Sequence, residues 1–329
     1  MKTLLAGWIE LMGLPKFTTT LIPFVLGAVV AWAEEPTTFD GPMLLISLLA
    51  VSLLSAFCFV LNASSIYADL KRREAAPGHI ADASALHNTA VSGRFNAFAK
   101  GWITVKQAEI GAALCVLAAI PLGMLLQDYF RTGMLTLPLG LLGIFIAYSY
   151  SRGLRFSYHG LGELALTAGV GWMTVFSGYY LQAGRVSWLP TLVALPWVIE
   201  VFKLKLTREL PDYECDQLIN RRNLVLRLGK RRTASLYTPL TLLAWLAFIP
   251  LIFLEALEIP YTLLLLLLLP FYFTAKSVQL IPRFKKELHE QRSKEQLKET
   301  VRAITRNAFT GMILIPVALI LIFALTLVW

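Results

Sequence analysis

Apolar residues gather along this chain into nine long runs, not into the two-residue alternation of a strand or the narrow stripes of a water-facing helix. The runs cover about 17–33, 42–62, 108–126, 135–150, 161–181, 189–201, 237–253, 261–277 and 308–329. Each approaches the roughly 20 residues that a helix needs to cross a hydrocarbon core. The pattern therefore predicts an all-α integral membrane protein of nine transmembrane helices. Residues 1–14 are mildly amphipathic and predict an interfacial helix with Trp8 as its anchor. Between runs lie a short acidic loop at 34–40, a long polar segment at 67–105 and a link carrying Arg152 and Arg155. The sixth run continues as a helix through Lys203 and Lys205. Charges alternate at helical spacing over 282–306, as in an exposed or interfacial helix.

Composition agrees with the pattern. Apolar residues make up 57% of the 329 and charged residues only 16%, outside the range of soluble domains. A net charge of +9 in a soluble protein would point to nucleic acid, but its distribution argues otherwise. Numbering the runs puts all Lys and Arg except Arg131 and Arg185 on one side. The positive-inside rule makes that side, and the N-terminus, cytoplasmic. Topology thus accounts for the charge, and no nucleic-acid partner is expected. Ala31-Trp32-Ala33 imitates a signal-peptidase site, yet the many apolar runs that follow outweigh it. Cys58, Cys115 and Cys215 have no ligand spacing and read as idle thiols. Polar loops with an Asp follow the second run (Asp69) and the sixth (Asp212), four helices apart on the same side. A 4+4+1 pseudo-repeat within one domain spanning 1–329 is the simplest organisation.

The densest chemistry lies at 207–230, where Glu209, Asp212, Glu214 and Asp216 mingle with Arg and Lys at a predicted membrane edge. Asp212 and Asp216 are four apart, so a continuing helix would aim both carboxylates from one face, with Glu209 one turn earlier. Asn62 and Asp69, seven apart, share a helical face in the first loop. Two such faces meeting would supply oxygen ligands suited to Mg²⁺, completed by phosphate oxygens. Lys71, Arg72, Arg73, Arg152, Arg155, Lys203 and Arg208 would provide positive charge for a diphosphate. The competing reading is a solvated loop obeying the positive-inside rule, which explains the bases better than the acids.

Asp212-Tyr-Glu-Cys-Asp216, followed by Arg221-Arg-Asn-Leu-Val-Leu-Arg-Leu-Gly229, resembles the second aspartate motif of the UbiA-type intramembrane prenyltransferases. The stretch Ala147–Glu163 is similar to that family's junction between spans four and five. Lys100–Gln107 resembles the end of its first cytoplasmic loop, and Trp8, Leu14-Pro15-Lys16, Pro23 and Gly27 resemble its N-terminal entry. The resemblance implies nine helices around a central cavity and Mg²⁺-assisted departure of diphosphate from an allylic isoprenoid, with an acceptor capturing the cation. It implies a transferase of prenyl (non-methyl alkyl) groups of the quinone-biosynthetic, 1,4-dihydroxy-2-naphthoate type. The expected partners are a polyprenyl diphosphate, an aromatic acceptor and membrane lipid, and the expected place is a bacterial inner membrane. Asp69, Asp212 and Asp216 are then the catalytic carboxylates, and Asn62 joins them on the metal. Lys71, Arg72, Arg152, Arg155, Lys203 and Arg208 bind the diphosphate, with Glu209, Tyr148 and Tyr150 as further candidates. The first family motif, Asn-Asp-x-x-Asp-x-x-x-Asp, is degenerate here whether aligned on Asn62 or Asp69, and Gly153 replaces a common Pro. The alternatives are a terpene cyclase, a member with altered catalysis, or an ion-coupled transporter. A transporter would favour acids at the bilayer midplane.

Other candidates are weaker. Gly160-Leu-Gly162 lacks the third glycine and the strand of a dinucleotide loop. Asn62-Ala-Ser64 is a glycosylation sequon, but on the cytoplasmic side. His79, His87, His159 and His289 show no ligand spacing. Glu200 is either a functional intramembrane acid or the partner of Lys203 or Lys205.

Overall fold

The computed structural model describes residues 2–74, 95–252, 260–290 and 294–327. The described residues are helical throughout, joined by turns. His79, His87 and part of the long polar segment lie outside them, as do short pieces of the seventh and ninth runs and of the charged segment.

Helix α1 (Lys2–Met12) leads through a 3₁₀ turn (Leu14–Phe17) into α2 (Thr18–Glu34). Trp8, expected as a headgroup anchor, packs on protein instead: its ring lies where a Cβ on Gly111 would sit. The Glu10 carboxylate accepts the Ala97 backbone N–H at 2.9 Å, which ties α1 to α4 (Asn96–Ala99). Helix α3 (Gly41–Glu74) has 34 residues, about 51 Å at 1.5 Å per residue, well beyond a roughly 30 Å hydrocarbon core. Its last turns lie beyond the apolar run, in the stretch where Asn62 and Asp69 were expected to share a helical face. They remain helical because Ile66, Tyr67 and Leu70 form a buried stripe against Phe95, Phe98 and Ile103, and Tyr67 stacks on Phe98 at 4.9 Å.

Helix α5 (Val105–Met124) opens with a capping box, Thr104 and Gln107 exchanging side chain-to-backbone bonds, and runs into a π turn at Leu125–Tyr129. Then come α6 (Thr136–Ser151) and α7 (Gly162–Leu166), which passes through a π segment (Thr167–Met173) into α8 (Thr174–Ala183). Helices α2 and α8 cross with backbones touching: a Cβ on Gly27 would lie 1.9 Å from the Val175 carbonyl, and one on Gly178 the same distance from that of Phe24. Such small-residue crossings replace the hydrophobic drive that lipid removes.

Helix α9 (Leu189–Glu209) is followed by two short helices, α10 (Tyr213–Leu218) and α11 (Leu224–Leu228). After them come α12 (Lys230–Leu246), α13 (Ile249–Ile252), a 3₁₀ segment (Tyr261–Leu267), α14 (Leu268–Gln279) and α15 (Ile281–His289). The charged segment does not stay apart from the last run. Its second part joins that run in α16 (Lys294–Thr326), a single helix of 33 residues.

Six helices among the described residues are long and apolar enough to cross a membrane; the chain is an integral membrane protein. One core joins α2, α8, α9, α12 and α16 around the fully buried Trp197, and a second joins α1, α3, α4 and α5. Between α2, α3, α5, α6 and the π segment lies an apolar cavity of about 410 Å³. Gly169, Val170 and Met173 of the π segment are in its wall, a frequent use of such wide turns.

Candidate functional site

A second, polar cavity of about 130 Å³ adjoins the apolar one, and Cys58, Phe59, Tyr150, Leu166 and Val170 line both. Its polar wall comes from three places. Lys16 stands at the entry to α2, Asn62 two-thirds along α3, and Lys205, Arg208, Glu209, Asp212 and Arg221 at and beyond the end of α9. Charge is concentrated at one end of a long greasy chamber.

Local sequence explains the second group. Lys205, Glu209 and Asp212 follow at spacings of four and three, one face of a helix. Lys205 binds Glu209 at 2.5 Å. The helix ends at Glu209 because Pro211 brings no N–H to continue the ladder. The expected continuous helix is therefore broken between Glu209 and Asp212, while Asp212 and Asp216 stay one turn apart on α10, the Asp216 N–H bonding the Asp212 carbonyl at 2.8 Å. Asp212 lines the cavity. Asp216, on α10, is buried and receives Arg221 at 3.1 and 3.3 Å and the Asn223 amide at 2.6 Å. Burial, against the pull of Arg221 and with like charge from Asp212 and Glu209, pushes the Asp216 carboxyl up to about 6. Asn220 turns the chain back in the left-handed region at φ 55°, and this returns Arg221 to the site. Arg221 also approaches Glu209 at 3.7 Å and the Tyr150 hydroxyl at 3.5 Å. Asn223 has a double role, its Oδ1 capping α11 through the Leu226 N–H at 2.8 Å. Glu163 accepts the Leu224 N–H at 2.8 Å and fixes the same helix start.

The first motif is arranged differently. Asn62 lines the cavity, its Oδ1 accepting the Ser151 hydroxyl at 2.6 Å. One turn on, Ser65 accepts Arg152 at 2.8 Å, and Arg152 also pairs with Glu109. Asp69 sits in a clamp: Arg72 at 2.7 Å on one oxygen, Arg155 and the Tyr158 hydroxyl (2.6 Å) on the other. Burial and the Asp69 charge push the Tyr158 phenol up to about 12, so it stays a proton donor. Arg155 reaches Asp69 from a left-handed backbone, φ 52° and ψ 48°, a conformation that costs a non-glycine residue something to hold. Gly153 is also left-handed at φ 52°, which the fixed φ of proline could not adopt. That accounts for its standing where a Pro was expected.

The expected four-oxygen metal shell is thus divided: Asn62 and Asp212 reach the cavity, while Asp69 and Asp216 are engaged by arginines. Among the described residues no three His, Cys, Asp or Glu side chains converge as a metal cluster. Of the expected diphosphate ligands, Arg208 lines the cavity. Arg152 and Arg155 brace α3, Arg72 is exposed on Asp69, and Lys71 lies over the Tyr67 ring. Lys203 faces the other way. It is fully buried, bound to Glu200 at 2.5 Å and Thr241 at 2.8 Å, and rests on Tyr237 of α12. This answers the question at Glu200, whose partner is Lys203. Tyr150 lines both cavities, whereas Tyr148 is half exposed against Gly153. Lys16, Lys205 and Arg221 were not singled out from sequence. Phasing α9 on Asp212 would have found Lys205, since Lys203 is some 200° around the helix from it.

An oxygen-lined, cation-rich pocket thus lies beside an apolar chamber, and proteins of similar sequence and fold make the family of the chain clear. The UbiA prenyltransferase family matches residues 20–288. The 1,4-dihydroxy-2-naphthoate octaprenyltransferase of Escherichia coli (strain K12) is 24% identical over 231 residues, 68% of this chain and 69% of that protein. A structure of digeranylgeranylglyceryl phosphate synthase in membranes superposes with a TM-score of 0.59 at 16% identity, covering 98% of this chain and 99% of the other. A UbiA homolog from Archaeoglobus fulgidus bound to GPP and Mg²⁺ gives 0.57 at 13% identity, over 93% and 99%. The chain belongs to the UbiA prenyltransferase family, and it is a membrane-embedded prenyltransferase.

Proposed function

We propose that the protein transfers an isoprenoid from an allylic diphosphate to an aromatic, quinone-precursor acceptor inside a bacterial inner membrane. The observation that carries this reading is the joined pair of cavities. A diphosphate needs cations and hydrogen-bond donors, and Lys16, Lys205, Arg208 and Arg221 surround the polar cavity. A prenyl tail needs a dry apolar wall, which the 410 Å³ chamber supplies. The naphthoate octaprenyltransferase relative supports the aromatic acceptor. We read α6, α7–α8 and α9 as three further crossings. With the six long apolar helices they form one nine-span domain of 4+4+1 design, its N-terminus in the cytoplasm.

The donor set around the polar cavity suits a hard cation. Asn62 and Asp212 are the residues that would hold Mg²⁺, with Glu209 beside them and water completing the shell. When bound, the ion neutralises charge on the departing diphosphate. The chain's own residues do the rest. Arg208 and Lys205 orient the diphosphate, and Arg221 is held at the cavity wall by Asp216. Tyr150 lines both cavities, at the boundary where an allylic carbon would lie, and apolar side chains deeper in keep water from the cation. Asp69 acts at one remove, fixing Arg155 and the α6–α7 link.

Purified protein in nanodiscs, given Mg²⁺ and allylic diphosphates of several lengths with and without 1,4-dihydroxy-2-naphthoate, tests the reading. Prenylated naphthoate together with released diphosphate is the expected result. Diphosphate release without any acceptor would instead indicate a cyclase, and no release with any donor would remove the proposal.

A further inference from the structure

Charges on the cavity wall are unequal in kind. Lys16, Lys205, Arg208 and Arg221 face it, against two acids, Glu209 and Asp212. Glu209 is already engaged by Lys205 at 2.5 Å and by Arg221 at 3.7 Å. From α3 the cavity receives only neutral groups: Cys58, Phe59, Asn62 and Ala63. The acid that this helix does carry, Asp69, is absent from the cavity wall, and both its oxygens are taken by Arg72, Arg155 and Tyr158. Ser65, one turn before it, is held by Arg152. The cavity has an oxygen-rich side from the second motif and no acidic side from the first.

We infer that this site binds a prenyl diphosphate with one divalent cation only, and that protein cations supply the remaining counter-charge. Lys205 and Arg208 face the cavity as cations that a diphosphate can meet directly, whereas Arg221 is already held by Asp216. One divalent ion has Asp212 and the Asn62 side-chain carbonyl to hold it; a second would find no carboxylate on the α3 side. Mg²⁺ is ordinarily held by one or two protein carboxylates together with waters and phosphate oxygens. Lys205 and Arg208 therefore take the place of a second metal, and Asp69 takes a positioning role. The inference rests on the prenyl-diphosphate reading above and deepens it.

Counting metal ions tests it. The full chain in nanodiscs is titrated with Mn²⁺ in the presence of geranyl S-thiolodiphosphate, an analogue that ionises poorly, and bound Mn²⁺ is read by electron paramagnetic resonance. The expected result is one Mn²⁺ per chain with an uncoupled six-line signal. Two ions per chain with a spin-coupled signal would overturn the inference while leaving the prenyltransferase reading intact. No Mn²⁺ and no analogue bound would overturn the prenyl-diphosphate reading itself. Asp69→Asn is expected to keep the stoichiometry at one and the Mn²⁺ affinity within about threefold; loss of Mn²⁺ binding in that variant overturns the single-site assignment. Lys205→Met and Arg208→Met should each weaken analogue binding about tenfold at unchanged stoichiometry, and unchanged analogue affinity in both would also overturn it.

Discussion

Two acidic motifs stand at corresponding places, one at the end of α3 and one beyond α9, and they are built in opposite ways. Beyond α9 the helix breaks at Pro211, and a new short helix begins with Asp212 at the cavity and turns Asp216 inward to Arg221 and Asn223. On α3 the helix does not break. It continues for three turns past Asn62 and carries Asp69 outward to a clamp of two arginines and a tyrosine. The difference teaches that a carboxylate's role is decided by whether the helix leading to it is interrupted. Pro211 lets one motif fold over the cavity mouth; the α3 extension, held by Tyr67 on Phe98, cannot do so.

Removing Asp212 is the severest test of this contrast. Asp212→Ala takes away the cavity-lining carboxylate, and turnover should fall roughly 10²- to 10³-fold, as when a single preorganised charge group is deleted elsewhere. A fall confined to KM would mean that Asp212 serves ground-state binding alone.

Asp216→Ala separates structure from chemistry. Asp216 and Arg221 are both buried, and deleting one partner of a buried pair costs about 3–5 kcal/mol because the other charge stays behind. A large fall in the thermal unfolding midpoint is expected. The double variant Asp216→Ala, Arg221→Met should recover much of that midpoint while remaining inactive. A single variant with a wild-type midpoint would show that Arg221 finds another partner, with Glu209 the nearest candidate.

How much of this was legible in the sequence follows from how far each feature depends on distant parts of the chain. Hydrophobic runs report on the bilayer, which is the same for every helix, so their positions were readable. Helix ends report on local packing. The α3 extension carries a helical stripe, Ile66, Tyr67 and Leu70, but its partners Phe95 and Phe98 lie some 30 residues away and no local pattern points to them. The acids at 209–216 stand out as chemistry in the sequence, yet their orientation depends on Pro211, which ends the helix before Asp212. Lys203 and Lys205 look equivalent as letters and are opposite as side chains. Their surroundings separate them: Lys203 meets Thr241 of α12, and Lys205 lines the polar cavity.

That pair gives the next test. Lys205→Met should raise the KM for the prenyl diphosphate about tenfold, with a smaller loss of stability than at Lys203, because Lys205 lines the cavity and Arg221 stays 3.7 Å from the Glu209 it leaves. Lys203→Met should do the reverse: Glu200 is left buried without its cation, so the thermal midpoint falls while KM stays within about twofold. If both variants alter KM alike, the opposite facing of the two lysines is wrong.

The smallest expected effect probes the clamp at Asp69. Tyr158→Phe removes one hydrogen bond to the carboxylate and leaves Arg72 and Arg155 in place. A hydrogen bond to a charged group contributes about 1.5–3 kcal/mol when its loss strands the partner. Here the two arginines still satisfy Asp69, so the cost should lie well below that range and turnover should fall no more than about threefold. Arg155→Gln goes further, because it releases the left-handed turn that joins α6 to α7. Its effect should appear as a modest rise in KM without any change in metal affinity. A loss of metal affinity in either variant would instead make Asp69 a ligand and the two motifs alike after all.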